Sequence, residues 1–264
     1  MKNKTALLTL VSVFLLSIML VTSISAQERR VDFIEGDWFK YGDIAVNWNS
    51  NNPNATFPSL PFSLPFPLPD QELIEKINQT EWVLVSVEDV SGTNITFQAT
   101  VHFENGAESV FGGYVNIDTG DGNMTFLAIS ADLGVNDTIY NSSEYSTWKI
   151  DETVVKAYPD CARETNHLNM TQELSWSCGI EFYFYFSIDL YWDKSTGILV
   201  EMSGEGNYQI GEDITFWSAF GRIIDSSSWI IPEFPTGTSM LIILLALTGV
   251  IAIYKQKLLK TPIG

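Results

Sequence analysis

Histidine and cysteine are scarce: the 264-residue chain has two of each. That leaves too little material for a Cys/His metal centre or a histidine-based triad, and no cofactor is implied. Basic residues are few as well, 14 Lys and Arg against 32 Asp and Glu, for a formal net charge of −18. A nucleic-acid binder needs Lys and Arg to displace phosphate counterions, so that partner class is excluded. No Gly-rich phosphate loop, HExxH or GxSxG occurs. Charged residues of both signs reach only 17%. Apolar residues make up 45% and aromatics 13%, too much for a disordered chain.

The two ends set the expected compartment. Residues 1–26 read as a secretory signal peptide: Lys2 and Lys4, an uncharged run from Thr5 to Ile24, then Ser25-Ala26 before Gln27. An uncleaved anchor helix is the alternative, because the run approaches the roughly 20 residues of a bilayer span. Residues 236–254 carry no charge and centre on Leu241-Ile242-Ile243-Leu244-Leu245, which predicts a transmembrane helix. Lys255, Lys257 and Lys260 follow, so residues 255–264 form a cytoplasmic basic tail and the bulk of the chain lies outside. The body between the two end segments keeps nine basic residues against all 32 acidic ones. Such a field repels polyanions, and the plainest reading is a well-solvated surface. Seven Asn-x-Ser/Thr triplets fall in the body, at Asn54, Asn78, Asn94, Asn123, Asn136, Asn141 and Asn169. That excess fits a glycosylated exterior.

Periodicity in the body, residues 27–230, is two rather than 3.6. Ile95, Phe97, Ala99, Val101 and Phe103 share one face of a strand, and Phe182, Phe184, Phe186, Ile188, Leu190 and Trp192 share one face of another. Strict alternation means strands with one buried and one wet face, hence antiparallel sheet. Strands are expected near 37–47, 81–90, 93–104, 107–117, 124–130, 147–158, 165–176, 179–192, 198–210 and 213–225. Asn105-Gly106 suits a type I′ hairpin, and Asp193 to Gly197 a longer hairpin loop. The expected fold is mainly β: an antiparallel meander forming a sandwich or a curved half-barrel, with one short helix over 70–79. Asp70 caps that helix, and Leu73, Ile74 and Ile77 line one side. Before it, the proline-rich segment 53–69 interleaves Pro with Phe57, Leu60, Phe62, Leu64, Phe66 and Leu68, which suggests packing onto the sheet. A membrane-touching loop is the other reading of that segment.

Cys161 and Cys178 lie in the exported region, where an oxidising exterior favours a structural disulfide between them.

The segment Ile231-Pro232-Glu233-Phe234-Pro235-Thr236, followed by an apolar helix and basic residues, resembles a PEF-type archaeal protein-sorting signal. Pro232, Glu233, Phe234 and Pro235 carry that resemblance. It implies recognition by an archaeosortase-like transpeptidase that cleaves near the motif and transfers the protein to a new anchor. The cluster Lys-x-Lys-x-x-Lys departs from consecutive arginines, so permanent anchoring stays open. The body, through Gly36 to Tyr41, His102 to Gly106 and Tyr191 to Gly197, resembles uncharacterised archaeal exported domains. The last phrase also resembles curved-sheet lipoprotein carriers, at the level of fold alone.

Candidate chemistry is thin. His102 falls on a polar strand face. His167 sits in the polar stretch from Arg163, with nothing that specifies a site. Asp118 to Asn123 offers oxygen ligands but lacks EF-hand spacing, and a hairpin turn is the simpler reading. Paired carboxylates could serve a glycosidase, but 32 acids make such pairs inevitable. Tyr183, Tyr185 and Tyr191 share the wet face of their strand and could stack on sugars or a protein partner, or lie under a second cover. The expectation is a non-catalytic, membrane-anchored, glycosylated surface protein with a structural, adhesive or binding role. Its candidate partners are envelope proteins or polysaccharide. The alternative is a carrier that holds a lipid or other apolar ligand on a curved sheet, and the weaker one a carbohydrate-active enzyme.

Overall fold

The computed structural model describes residues 28–52, 76–159, 162–177 and 179–228. Nine strands form one antiparallel sheet. They are β1 (Trp38–Ser50), β2 (Thr80–Ser91), β3 (Asn94–Phe103), β4 (Glu108–Asn116), β5 (Glu152–Ala157), β6 (Ala162–Ser177), β7 (Glu181–Asp193), β8 (Leu199–Ile210) and β9 (Asp213–Ser226). The spatial order is β4-β3-β2-β1-β9-β8-β7-β6-β5. Two meanders, β1 to β4 and β5 to β9, are therefore joined by the pairing of the first strand with the last. The expected strand at 124–130 is absent, reduced to a single bridge between Ala128 and Ile198. That at 147–158 shrinks to β5. Lys76 to Asn78 are helical, and the rest of the expected 70–79 helix lies outside the described residues. The signal peptide, proline-rich segment, sorting-type motif, transmembrane run and basic tail lie there too.

The alternation does what it predicts. Val85, Val87, Ile95, Phe97, Ala99, Phe184, Phe186, Ile188, Leu190 and Trp192 are buried on one face. What covers them is not a second sheet but the irregular segment 117–151, together with residues 28–36. Tyr140 Oη donates to Ala128 O, Phe126 N donates to Tyr140 Oη, and Trp192 Nε1 donates to Phe126 O at 2.7 Å. These bonds pin the segment over the sheet and leave few buried polar groups unmatched. Two core clusters result. One gathers Phe33, Phe39, Phe97 and Ile117 over the β2–β3 side, the other Tyr140, Phe184, Leu190 and Trp192 over the β6–β7 side.

One turn differs from expectation. Gly106 has φ +79°, but Asn105 does not share a positive φ, so the hairpin is not type I′. Gly106 N donates to Phe103 O and Phe103 N to Ala107 O. That is a three-residue loop, a type I turn closed by a left-handed glycine, in which the Asn105 side-chain Oδ1 also accepts from Ala107 N. At 118–123 the Asn116 side chain accepts from Asp118 N and Thr119 N, so the turn is knit by its own bonds.

Strand β6 lies between the two cysteines of the expected disulfide. Ala162 and Ser177 are the two ends of one 16-residue strand. Fifteen steps of extended chain put them about 50 Å apart, whereas bridged cysteines need Cα atoms within about 7 Å. Cys161 and Cys178 themselves, and with them the expected disulfide, lie outside the described residues.

Candidate functional site

The covered face holds an apolar cavity of about 580 Å³ where the two core clusters meet. Its origin is a run of small residues in the middle of the sheet. At inward positions the flanking strands supply Ile188, Leu190, Val46 and Tyr41, whereas the centre supplies Ala219 and Gly221 of β9. A Cβ added at Gly221 would meet only Ile44 Cγ1, at 3.9 Å, so open space lies above it. Gly204 and Gly206 of β8 serve a different purpose. The Trp217 indole lies against both, and a Cβ on Gly206 would fall 2.6 Å from its Nε1. Glycine there lets the ring lie flat and roof part of the sheet.

No Asp, Glu, Lys, Arg or His lines the cavity. The Tyr41 hydroxyl is already spent, donating to Leu199 O at 2.7 Å, and burial pushes its pKa well up. Trp217 Nε1 is buried without an acceptor among the described residues. At the mouth, Phe111 is 49% exposed and Met202 is 40% exposed. Large apolar side chains that rim a dry hollow are the signature of a binding site rather than of a finished core. Segment 53–75 leaves after Asn52 and returns at Lys76, next to Ile77, which lines the cavity.

The open face carries the polar residues singled out from sequence. Tyr191 is occupied: His167 stacks on it at 4.4 Å and the Lys156 ammonium sits 3.5 Å from its ring centre. Burial, then Asp189 and Glu201, raise its pKa. His167 lies between Asp189 at 2.8 Å and Glu152 at 3.3 Å. His102 stacks on Trp82 at 4.6 Å with Glu108 and Glu81 nearby. Tyr183 lies beside Glu173, and Tyr185 lines a hollow. The three tyrosines thus have different neighbours. Among the described residues no cluster of His, Cys, Asp and Glu is arranged to hold a metal.

The sequons divide by the work their amides do. Asn78 pairs both amide atoms with the Val46 backbone, Asn141 binds Arg29 and Asp118, and Asn123 caps Tyr114 N. Asn169 donates to both Ser187 and Asp189. All six are exposed, and Asn94 Oδ1 accepts from Asn116 Nδ2, whereas neither Asn94 nor Asn136 donates from its side-chain amide among the described residues. Asn54 lies outside the described residues.

Sequence reasoning missed the cavity. Alternation marks which residues turn inward, but an inward Ala219 or Gly221 reads as a weak strand position, not as the floor of a hollow. No protein-family model matches the chain, and no curated protein matches it in sequence.

Proposed function

We propose that the protein is a membrane-tethered binder of an apolar ligand, with one or more lipid hydrocarbon chains held in the cavity over β8, β9 and β1. The carrying observation is that cavity: about 580 Å³, lined without a charged side chain and rimmed by half-exposed Phe111 and Met202. Its volume falls within the range of small-molecule sites. The proposed anchor, 236–254, begins ten residues after the end of β9 at Ser226. At about 3.3 Å per residue the link reaches about 35 Å at most, so the body stays close to a reservoir of lipid. The exported location, the glycosylated surface and the sorting-type end belong to the same proposal. The role is binding and handling rather than catalysis.

Native mass spectrometry of the full chain, gently extracted from its own membranes, tests it. Extra mass lost on mild activation and matching a lipid supports the reading. Gly221→Leu places its Cβ in open space and its side chain in the hollow, and at least a tenfold loss of that bound fraction is expected with the fold intact. A wild-type chain that carries no ligand, or a Gly221→Leu chain that carries as much as wild type, sinks the proposal.

A further inference from the structure

We infer that the open face of the sheet carries a second site, a shallow groove across β7, β8, β9 and β1 suited to an uncharged saccharide. Antiparallel register lines up the outward residues in rows. One row runs Tyr185, Asn207, Phe216, Asn49; the next runs Ser187, Glu205, Ser218, Asn47; a third runs Asp189, Ser203, Phe220, Ala45. The middle rows are floored by short side chains, so the surface dips between larger ones. Two hollows of about 370 and 440 Å³ result, and they share Asn47, Glu205 and Ser218, which makes them one groove.

The lining chemistry selects the ligand class. Phe216, 52% exposed, and Tyr185 flank Asn207 at one end and offer apolar faces against which a sugar ring can stack. Between and beyond them stand serine hydroxyls, asparagine amides and the Glu205 carboxylate, the mixed donors and acceptors that vicinal hydroxyls require. Asn207 Oδ1 is buried and accepts no hydrogen bond among the described residues. An unmatched buried acceptor is unfavourable, and a ligand hydroxyl that meets it as the Asn207 side chain turns outward recovers that loss. Anionic chains are disfavoured, because Glu205 and Asp189 line the groove and no Lys, Arg or His does. A hydrocarbon is disfavoured by the hydroxyl floor. This site lies on the opposite face from the cavity and does not depend on it.

Calorimetric titration of the full chain in detergent, with linear hexasaccharides of glucose, mannose and N-acetylglucosamine as probes, tests it. At least one is expected to bind, with affinity reduced tenfold or more by Phe216→Ala and by Asn207→Leu. Gly221→Leu, which closes the cavity on the other face, should leave the saccharide affinity within twofold. Lack of binding by all three probes up to millimolar concentration overturns the inference. So does binding that Phe216→Ala leaves unchanged, or a preference for an acidic oligosaccharide of equal length.

Discussion

Asp193 organises the β7–β8 connection from a position only 1% exposed. Its Oδ1 accepts from Thr196 N at 2.8 Å and from the Ser195 and Thr196 hydroxyls, while Oδ2 accepts from Arg163 at 2.9 Å. The loop it holds continues to Gly197, whose φ of +82° and 2.2 Å Cβ clearance to Ile129 O exclude other residues. Asp193→Ala removes the counter-charge of a mostly buried guanidinium together with three loop bonds. It is expected to cost about 3–5 kcal/mol in chemical denaturation followed by tryptophan fluorescence, and a loss under about 1 kcal/mol would contradict this account. Tyrosines dominate the alkaline limit. Burial raises the pKa of Tyr41 and of Tyr140, each of which also donates to a backbone carbonyl. Both favour the neutral phenol in the fold, so their contribution is fully present below the unfolded value of about 10 and is lost as pH rises above it. Melting temperature should fall steeply between about pH 10 and 11.5, and less steeply in Tyr41→Phe. The glycans follow the amides: on the proposed glycoprotein, glycopeptide mapping should find higher occupancy at Asn94 and Asn136 than at Asn169. Attachment at Asn169 would displace one of its two hydrogen bonds, and full occupancy there would contradict that argument.

Strand β6 is the element that most changes the reading. In the sequence, Cys161 and Cys178 are 17 positions apart, a separation that suits a loop closed by a disulfide just as well as a strand spanned end to end. Alternation over 165–176, with Leu168, Met170, Leu174 and Trp176 on one face and Thr171, Glu173 and Ser175 on the other, marks most of β6 but not its extension back to Ala162. With 16 extended residues between them, both thiols are expected to alkylate without prior reduction, and non-reducing peptide maps should contain no Cys161–Cys178 crosslink. A crosslinked peptide from monomeric protein would refute the strand itself. The strong alternators, β3 and β7, were legible because each inward residue is large and each outward one polar. The segment 117–151 was not, because it has no period: Phe126, Tyr140, Tyr145 and Trp148 reach the core from irregular backbone, and Phe126 does so with φ +75°. The turn at Asn105-Gly106 was placed correctly and typed wrongly, since one left-handed glycine suffices where a third loop residue is present.

At the scale of the whole molecule, periodicity specifies faces but not neighbours. Consecutive hairpins account for seven of the eight strand pairings, and the sequence supplied those. The pairing of β1 with β9 depends on contacts between residues more than 150 positions apart, such as Tyr41 with Ile223, and the folding of 117–151 over the sheet on bonds such as Trp192 with Phe126, 66 positions apart. The cavity exists only because that closure sets Ala219 and Gly221 between the two clusters, which is why no local pattern announced it. The same closure makes binding a property of the body alone. Every cavity-lining residue lies between Tyr41 and Gly221, ahead of the end of β9, and the proposed anchor follows that end in sequence. A protease site introduced between Ser228 and Thr236 should therefore release a body that keeps its lipid in aqueous buffer, with stoichiometry unchanged from the tethered chain. Mass spectrometry of the released fraction measures this directly. Lipid that stays with the membrane fraction while the body emerges empty would mean that the anchor, and not the sheet, held it.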